Sequence, residues 1–146
     1  MSQRDDGVEL ETSIGYLLKE AASALRAAME DALRPFGMTI THYSCLELLA
    51  QRPGLSNSEL ARGAFVSRQS MNTLLQALER EGSVIRPADA AVGRILPAQL
   101  TERGRRQIER ASAAVRAVEL RMLSGLDETA QAETRRVLRG LVEALR

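Results

Sequence analysis

The sequence predicts a mainly α-helical fold that carries one small β-hairpin. Apolar residues recur at alternating three- and four-residue intervals along most of the 146 positions, which is the period of helices with one buried face. Only the stretch between Gly82 and Thr101 loses that period and turns β-like. Cap-type residues also stand where helices should begin, with Ser56, Ser67 and Asp127 each just before a periodic run.

The first element is a long helix over about residues 9–36. Ile14, Leu18, Ala21, Leu25, Ala28, Ala32 and Phe36 form one stripe along it. Pro35, Gly37 and Thr39 mark its end. A second helix is expected from about Thr41 to Gln51, with His42, Cys45, Leu46 and Leu49 on one face. The pair Pro53-Gly54 makes a turn. Ser56 with Glu59 three residues later is a capping box, and it opens a short third helix that Gly63 limits. A fourth helix starts at Ser67 and runs to about Arg80. Its buried face is Met71, Leu74, Leu75 and Leu78, and Gly82 stops it.

Val84 to Arg86 and Ile95 to Leu100 read as the two strands of a hairpin whose long tip spans residues 87–94. Pro97 marks the second strand as short and at an edge. Thr101 and Glu102 open another long helix, striped by Ile108, Ala111, Val115, Val118 and Met122. Ser124-Gly125 breaks it, and Asp127 caps a last helix bearing Val137, Leu138, Leu141, Val142 and Leu145.

Composition narrows the chemistry. With 45% hydrophobic and 27% charged residues the chain is an ordinary globular domain. One cysteine, Cys45, rules out an intramolecular disulfide and a Cys-rich zinc site, and one histidine, His42, rules out a His-pair metal site. No metal or cofactor is therefore expected. No apolar run approaches the ~18 residues of a membrane span, and the start MSQRDDG is no signal peptide, so a cytoplasmic protein is expected. No nucleophile–base pair with an orienting third group is present, so no enzymatic activity is expected.

The net charge of +1 hides an uneven distribution. Residues 1–51 hold 4 basic and 8 acidic side chains, whereas residues 52–110 hold 10 basic and 6 acidic ones. All ten are arginines, which grip phosphate as a planar fork and stay charged. A basic middle is the footprint of a polyanion partner.

Short helix, turn, amphipathic helix and hairpin together make the winged helix-turn-helix pattern. The third helix then supports the fourth, which fits the major groove of double-stranded DNA. The face opposite the buried residues shows Arg68, Gln69, Asn72, Thr73 and Gln76 and is nearly free of other charge. Arg pairs with guanine and Asn or Gln with adenine in two-bond contacts. Ser67 and Ser70, at the helix start, are placed for a phosphate. Ser56 at the start of the third helix and Arg86 at the hairpin base complete the expected contact set, with Arg94 in the wing. A winged helix used only for protein association would carry the same pattern; it would lack salt-dependent DNA affinity.

The stretch LSNSELARGAFVSRQSMNTLLQALEREGSVIR, with the later GRILPAQLTERGRR, resembles the MarR family of bacterial transcription regulators. The resemblance covers nearly the whole chain. It implies a single domain over 1–146, with about 9–36 and 101–146 forming a homodimer and about 40–100 forming the DNA-binding lobe. It further implies a near-palindromic operator, repression, and release by a small aromatic or phenolic effector. Dimer contacts are then expected from Ile14, Leu18, Val115, Met122, Leu138, Leu141 and Leu145. An effector pocket would draw on Tyr16, Met29, Phe36, Met38, His42 and Tyr43, although plain core packing explains those residues equally. The family's wing has an acidic residue two before its minor-groove Arg. Here the Arg is Arg94 and the acidic position holds Val92, with Gly93 between. Some members sense oxidants through a first-helix cysteine. Cys45 lies in the second helix, on an apolar face, and reads as a buried, inert thiol.

Overall fold

A computed structural model of the chain describes residues 7–89 and 94–146. Helix α1 spans Ile14–Leu33, and a 3-10 turn at Arg34–Phe36 closes it. Helices α2 (Ile40–Gln51), α3 (Asn57–Gly63) and α4 (Arg68–Glu81) follow. Strands β1 (Val84–Ile85), β2 (Ala88–Asp89), β3 (Arg94–Ile95) and β4 (Gln99–Leu100) build the wing. Helices α5 (Glu102–Met122) and α6 (Glu128–Ala144) end the chain. Val92 and Gly93 of the expected wing pattern lie outside the described residues.

Helix starts are set by single side chains. Ser13, Thr39, Ser56, Ser67, Thr101 and Asp127 each accept a hydrogen bond from a backbone amide of the first turn. Two expected boundaries are corrected. The first helix begins at Ile14 and not near Glu9, because Ser13 accepts from the Tyr16 amide at 3.1 Å. Thr39 belongs to the start of α2 rather than the end of α1, since its hydroxyl takes the His42 amide at 3.1 Å.

Three helix ends close in the same way. Met38 donates to Leu33 and Gly37 to Arg34; Val66 donates to Ala61 and Phe65 to Arg62; Ser83 donates to Leu78 and Gly82 to Glu79. Each closure needs one residue in the left-handed region. Gly37 (φ 65°) and Gly82 (φ 81°) supply it at two ends, but the third falls on Phe65 (φ 60°). Gly63 is the last residue of α3, as expected, but the left-handed turn comes two residues later; a Cβ at Gly63 would meet the Leu48 side chain at 2.9 Å, so it also serves the packing of α3 on α2.

The wing is longer in ladder and shorter in tip than the sequence suggests. β1 pairs with β4 through Val84–Leu100 and Ile85–Gln99, and β2 pairs with β3 through Ala88–Ile95 and Asp89–Arg94. Between the two ladders lie Pro87 and Pro97, which have no N–H to offer. One bond, from the Leu96 amide to the Pro87 carbonyl at 2.7 Å, bridges the break.

The core sits where α2, α3, α4, β1 and α5 meet. Leu33, Cys45, Leu46, Leu60, Met71, Leu75, Leu78, Val84 and Ala111 are all essentially inaccessible to solvent. At its edge α5 starts in contact with the end of α4. Thr101 Oγ1 donates to the Gly82 carbonyl at 2.6 Å, and the Thr101 amide donates to the Ser83 carbonyl at 3.1 Å. The fully buried Ser83 donates from its hydroxyl to Gln107 at 2.6 Å. Gly104 lies so close that a Cβ there would stand 2.1 Å from the Ser83 carbonyl oxygen.

Gly104→Ala is therefore expected to destabilise the fold. Alanine gains about 1 kcal/mol of helix propensity over glycine, but a methyl group against a fixed backbone carbonyl costs about 3 kcal/mol or more. A thermal melt should show the midpoint lowered, and an unchanged or raised midpoint would show that the joint yields.

Candidate nucleic-acid interface

Helix α4 divides its residues between two tasks. Met71, Leu75 and Leu78 are buried and Leu74 is half-buried. Arg68, Gln69, Ser70, Asn72, Thr73 and Gln76 are exposed. Arg68, Asn72 and Gln76 lie four residues apart and so form one row along the outward face. None of these three is buried against the chain's own core, and all present hydrogen-bonding groups at side-chain length from a rigid helix.

The helix start is ordered by two hydroxyls. Ser67 Oγ accepts from the Ser70 amide and donates to Ser70 Oγ, both at 3.0 Å. The first-turn amides of Arg68 and Gln69 remain at the open, positive end of the helix dipole. Thr73 commits its hydroxyl proton to the Gln69 carbonyl at 3.1 Å, which leaves a methyl group and lone pairs to offer outward.

Two of the expected contact residues carry partners that the sequence did not suggest. Asn57 Nδ2 donates to Asn72 Oδ1 across the α3–α4 turn. Arg86, just past β1, pairs through Nε with Glu79 Oε1 of α4, and its side chain is only 17% exposed. Arg86 therefore ties the wing base to the second half of α4. Ser56, Asn57, Asn72, Arg86, Leu96 and Pro97 line a cleft of about 410 Å³ between the start of α3, the outward face of α4 and the wing. Ser56 is held in the capping box: its hydroxyl accepts from the Glu59 amide at 3.2 Å and its amide donates to Glu59 Oε1 at 3.0 Å. Those bonds hold the Glu59 carboxyl below the usual range. Further along the wing, the register sets Asp89 opposite Arg94.

The residues considered for an effector pocket do not converge within one chain. Tyr16 lies in the first turn of α1 and Phe36 beyond its last, separated by roughly 30 Å of helix at 1.5 Å per residue. Both are exposed. Met38 lines a cleft of about 430 Å³ with Arg26, Glu30, Arg34, Gly37, Thr39, Ile40 and Thr41, and the other five do not line it. His42 Nε2 is buried without a hydrogen-bond partner. Burial holds its pKa below the ordinary value, against the pull of Glu81. Met29 and Tyr43 are half-buried. Tyr43 stands beside Glu47, which accepts from Ser112 Oγ and, at 2.6 Å, from Gln51 Nε2. Burial alone would raise the Glu47 pKa, but the hydrogen bonds from Ser112, Gln51 and Tyr43 outweigh it and the carboxyl is held low.

The residues considered for dimer contacts share a different property. Ile14, Leu18, Met122, Leu138 and Leu145 are exposed large apolar side chains, and α6 has no buried residue at all. Val115 and Leu141 are partly covered. Among the described residues no cluster of three His, Cys, Asp or Glu could hold a metal ion, and no helix is long and apolar enough to cross a membrane.

The sequence compares with known proteins as follows. It is 46% identical over 135 residues to the HTH-type transcriptional repressor Rv2887 of Mycobacterium tuberculosis, covering 92% of this chain and 97% of that protein. The chain belongs to the MarR family. The MarR family model itself matches residues 36–95, from the end of the first helical segment to β3. The crystal structure of Rv2887 in complex with DNA superposes with a TM-score of 0.73 at 45% identity, covering 89% of this chain and 98% of that one. The crystal structure of Rv2887 with salicylic acid does so with a TM-score of 0.74 at 47% identity, covering 89% and 96%. The MarR arrangement is thus present from α1 to α6, and the family is one of transcriptional regulators.

Cys45 is fully buried in this fold, and burial pushes its thiol pKa up to about 12. Only the thiolate reacts. The folded protein at pH 8 is expected to leave Cys45 unmodified by a thiol reagent that labels it promptly in denaturant. Equal labelling rates in both conditions would mark it as a reactive sensor instead.

Proposed function

We infer that this chain is a cytoplasmic transcriptional repressor that binds a near-palindromic operator as a homodimer and lets go when a small aromatic or phenolic ligand binds. The observation that carries the reading is the outward row of Arg68, Asn72 and Gln76 on a helix whose other face is locked into the core. Such a helix fits a major groove, and its side chains match the edges of guanine and adenine. The Rv2887 structures with DNA and with salicylic acid support both halves of the reading. The protein acts by binding and not by catalysis.

In this reading Ser67, Ser70 and the start of α4 take a phosphate, Gln69 and Thr73 flank the base-reading row, and Arg94 reaches the minor groove from the wing. Ser56 lies at the edge of the same surface, and Arg86 supports the wing through Glu79. The two copies join through the exposed apolar side chains of α1, α5 and α6, Ile14, Leu18, Met122, Leu138 and Leu145 among them. An effector works by favouring a spacing of the two reading helices that does not match the operator. Its pocket takes its lining from residues near Met38, His42 and Tyr43, completed between copies.

Two measurements test the reading. Operator DNA selected from a random pool should bind the full chain with steep salt dependence. Arg68→Ala should then lower affinity by about 1–3 kcal/mol for the preferred sequence and relax preference at one position in each half-site. Unchanged binding by that variant would remove α4 from the contact. Separately, Leu138→Glu should shift the protein from dimer to monomer in sedimentation and weaken operator binding roughly a hundredfold through lost avidity. A variant that stays dimeric would place the interface elsewhere.

A further inference from the structure

We propose that Asn57, which lies outside the reading helix, determines which bases Asn72 selects. The proposal rests on the reading of α4 as the major-groove helix. Asn72 stands in the middle of the outward row, one helical turn from both Arg68 and Gln76. A free Asn amide offers the groove an acceptor and two donors. With both atoms at the base edge it pairs with adenine, accepting from N6 and donating to N7.

Asn72 is not free. Asn57 Nδ2 donates to Asn72 Oδ1, which turns the carbonyl toward α3 and leaves the Nδ2 hydrogens facing away from it. Asn57 is well placed to impose this. It is the first residue of α3, and the capping box of Ser56 and Glu59 fixes the backbone on both sides of it. Both side chains form one wall of the cleft that Ser56, Arg86, Leu96 and Pro97 complete, so the pair faces the space next to the row and not the core. Held in this way, Asn72 reads as a donor. It favours guanine, whose major-groove edge presents two acceptors, N7 and O6, over adenine, which sets the N6 donor beside its single N7 acceptor. Asn57 is thus a positioning residue for base selection and makes no base contact of its own.

Asn57→Asp reverses the polarity of the pair. The new carboxylate can only accept, so it takes the Asn72 amide hydrogens and turns Oδ1 outward. Asn72 then selects bases that present a donor, adenine through N6 or cytosine through N4. An acidic residue at the first position of a helix is favourable, so the fold is preserved, and a thermal melt verifies this.

The test is selection of bound DNA from a random pool with the full-length protein, its Asn57→Asp variant and its Asn72→Ala variant. Asn72→Ala identifies the position, because preference is lost there and kept elsewhere. At that position the wild type should favour a G·C pair, with the guanine on the strand that Asn72 faces. Asn57→Asp should favour adenine or cytosine on that same strand, so the preferred base pair changes, with a change in relative affinity of about fivefold or more. The added charge lowers affinity for every sequence alike and does not alter the other positions.

The same preferred base pair in wild type and Asn57→Asp overturns the proposal, as does a wild-type preference for an A·T pair at that position. An Asn72→Ala variant that relaxes no position overturns it as well, while leaving DNA binding itself intact. A wild type that enriches no sequence overturns the DNA-binding reading and this proposal with it.

Discussion

The close approach of α5 to the end of α4 is the constraint on which the rest of the structure depends. Gly82 turns the chain out of α4, Ser83 is buried beneath it, and Thr101 and Gly104 bring α5 onto the same two residues. Four elements are joined there within a few residues: α4, β1, β4 and α5. The orientation of α4 relative to α5 is held at this point, and the packing of α4 on α3, α3 on α2 and α2 on α5 holds it as well. A side chain larger than hydrogen at Gly104 would push α5 away from the end of α4.

A second layer of order is polar and lies on the surface. Glu79 with Arg86 links α4 to the wing base, and Asn57 with Asn72 links it to α3. Both pairs are partly covered, Arg86 the more so. Their value lies in direction: each removes conformations from a side chain that would otherwise sample several rotamers on the outward side of α4.

The helices were legible in the sequence because their signals are local. A cap and the amide it satisfies lie three residues apart, and a buried stripe repeats within each turn, so Ser56, Ser67 and Asp127 mark true starts. The polar face of α4 was legible for the same reason. What escaped was pairing between distant positions and backbone set by a neighbour. Asn57 and Asn72 are 15 residues apart, and neither residue type announces a partner. Phe65 adopts a left-handed turn that a sequence reader assigns to glycine, because the packing of α3 on α4 dictates where the turn must fall. Asp89 opposite Arg94 depends on register, which counting along one strand does not reveal. Tyr16 and Phe36 were grouped by type and by resemblance as pocket residues, and the length of α1 separates these two within one chain.

The break in the wing has a consequence of a different kind. A continuous hairpin projecting from a small domain offers a row of free N–H and C=O groups, and such an edge invites strands from other molecules to add to it. Pro87 and Pro97 cut this row into two-residue ladders and remove a donor from each strand at the break. The chain can therefore project a β-arm from a small domain without that arm seeding aggregation.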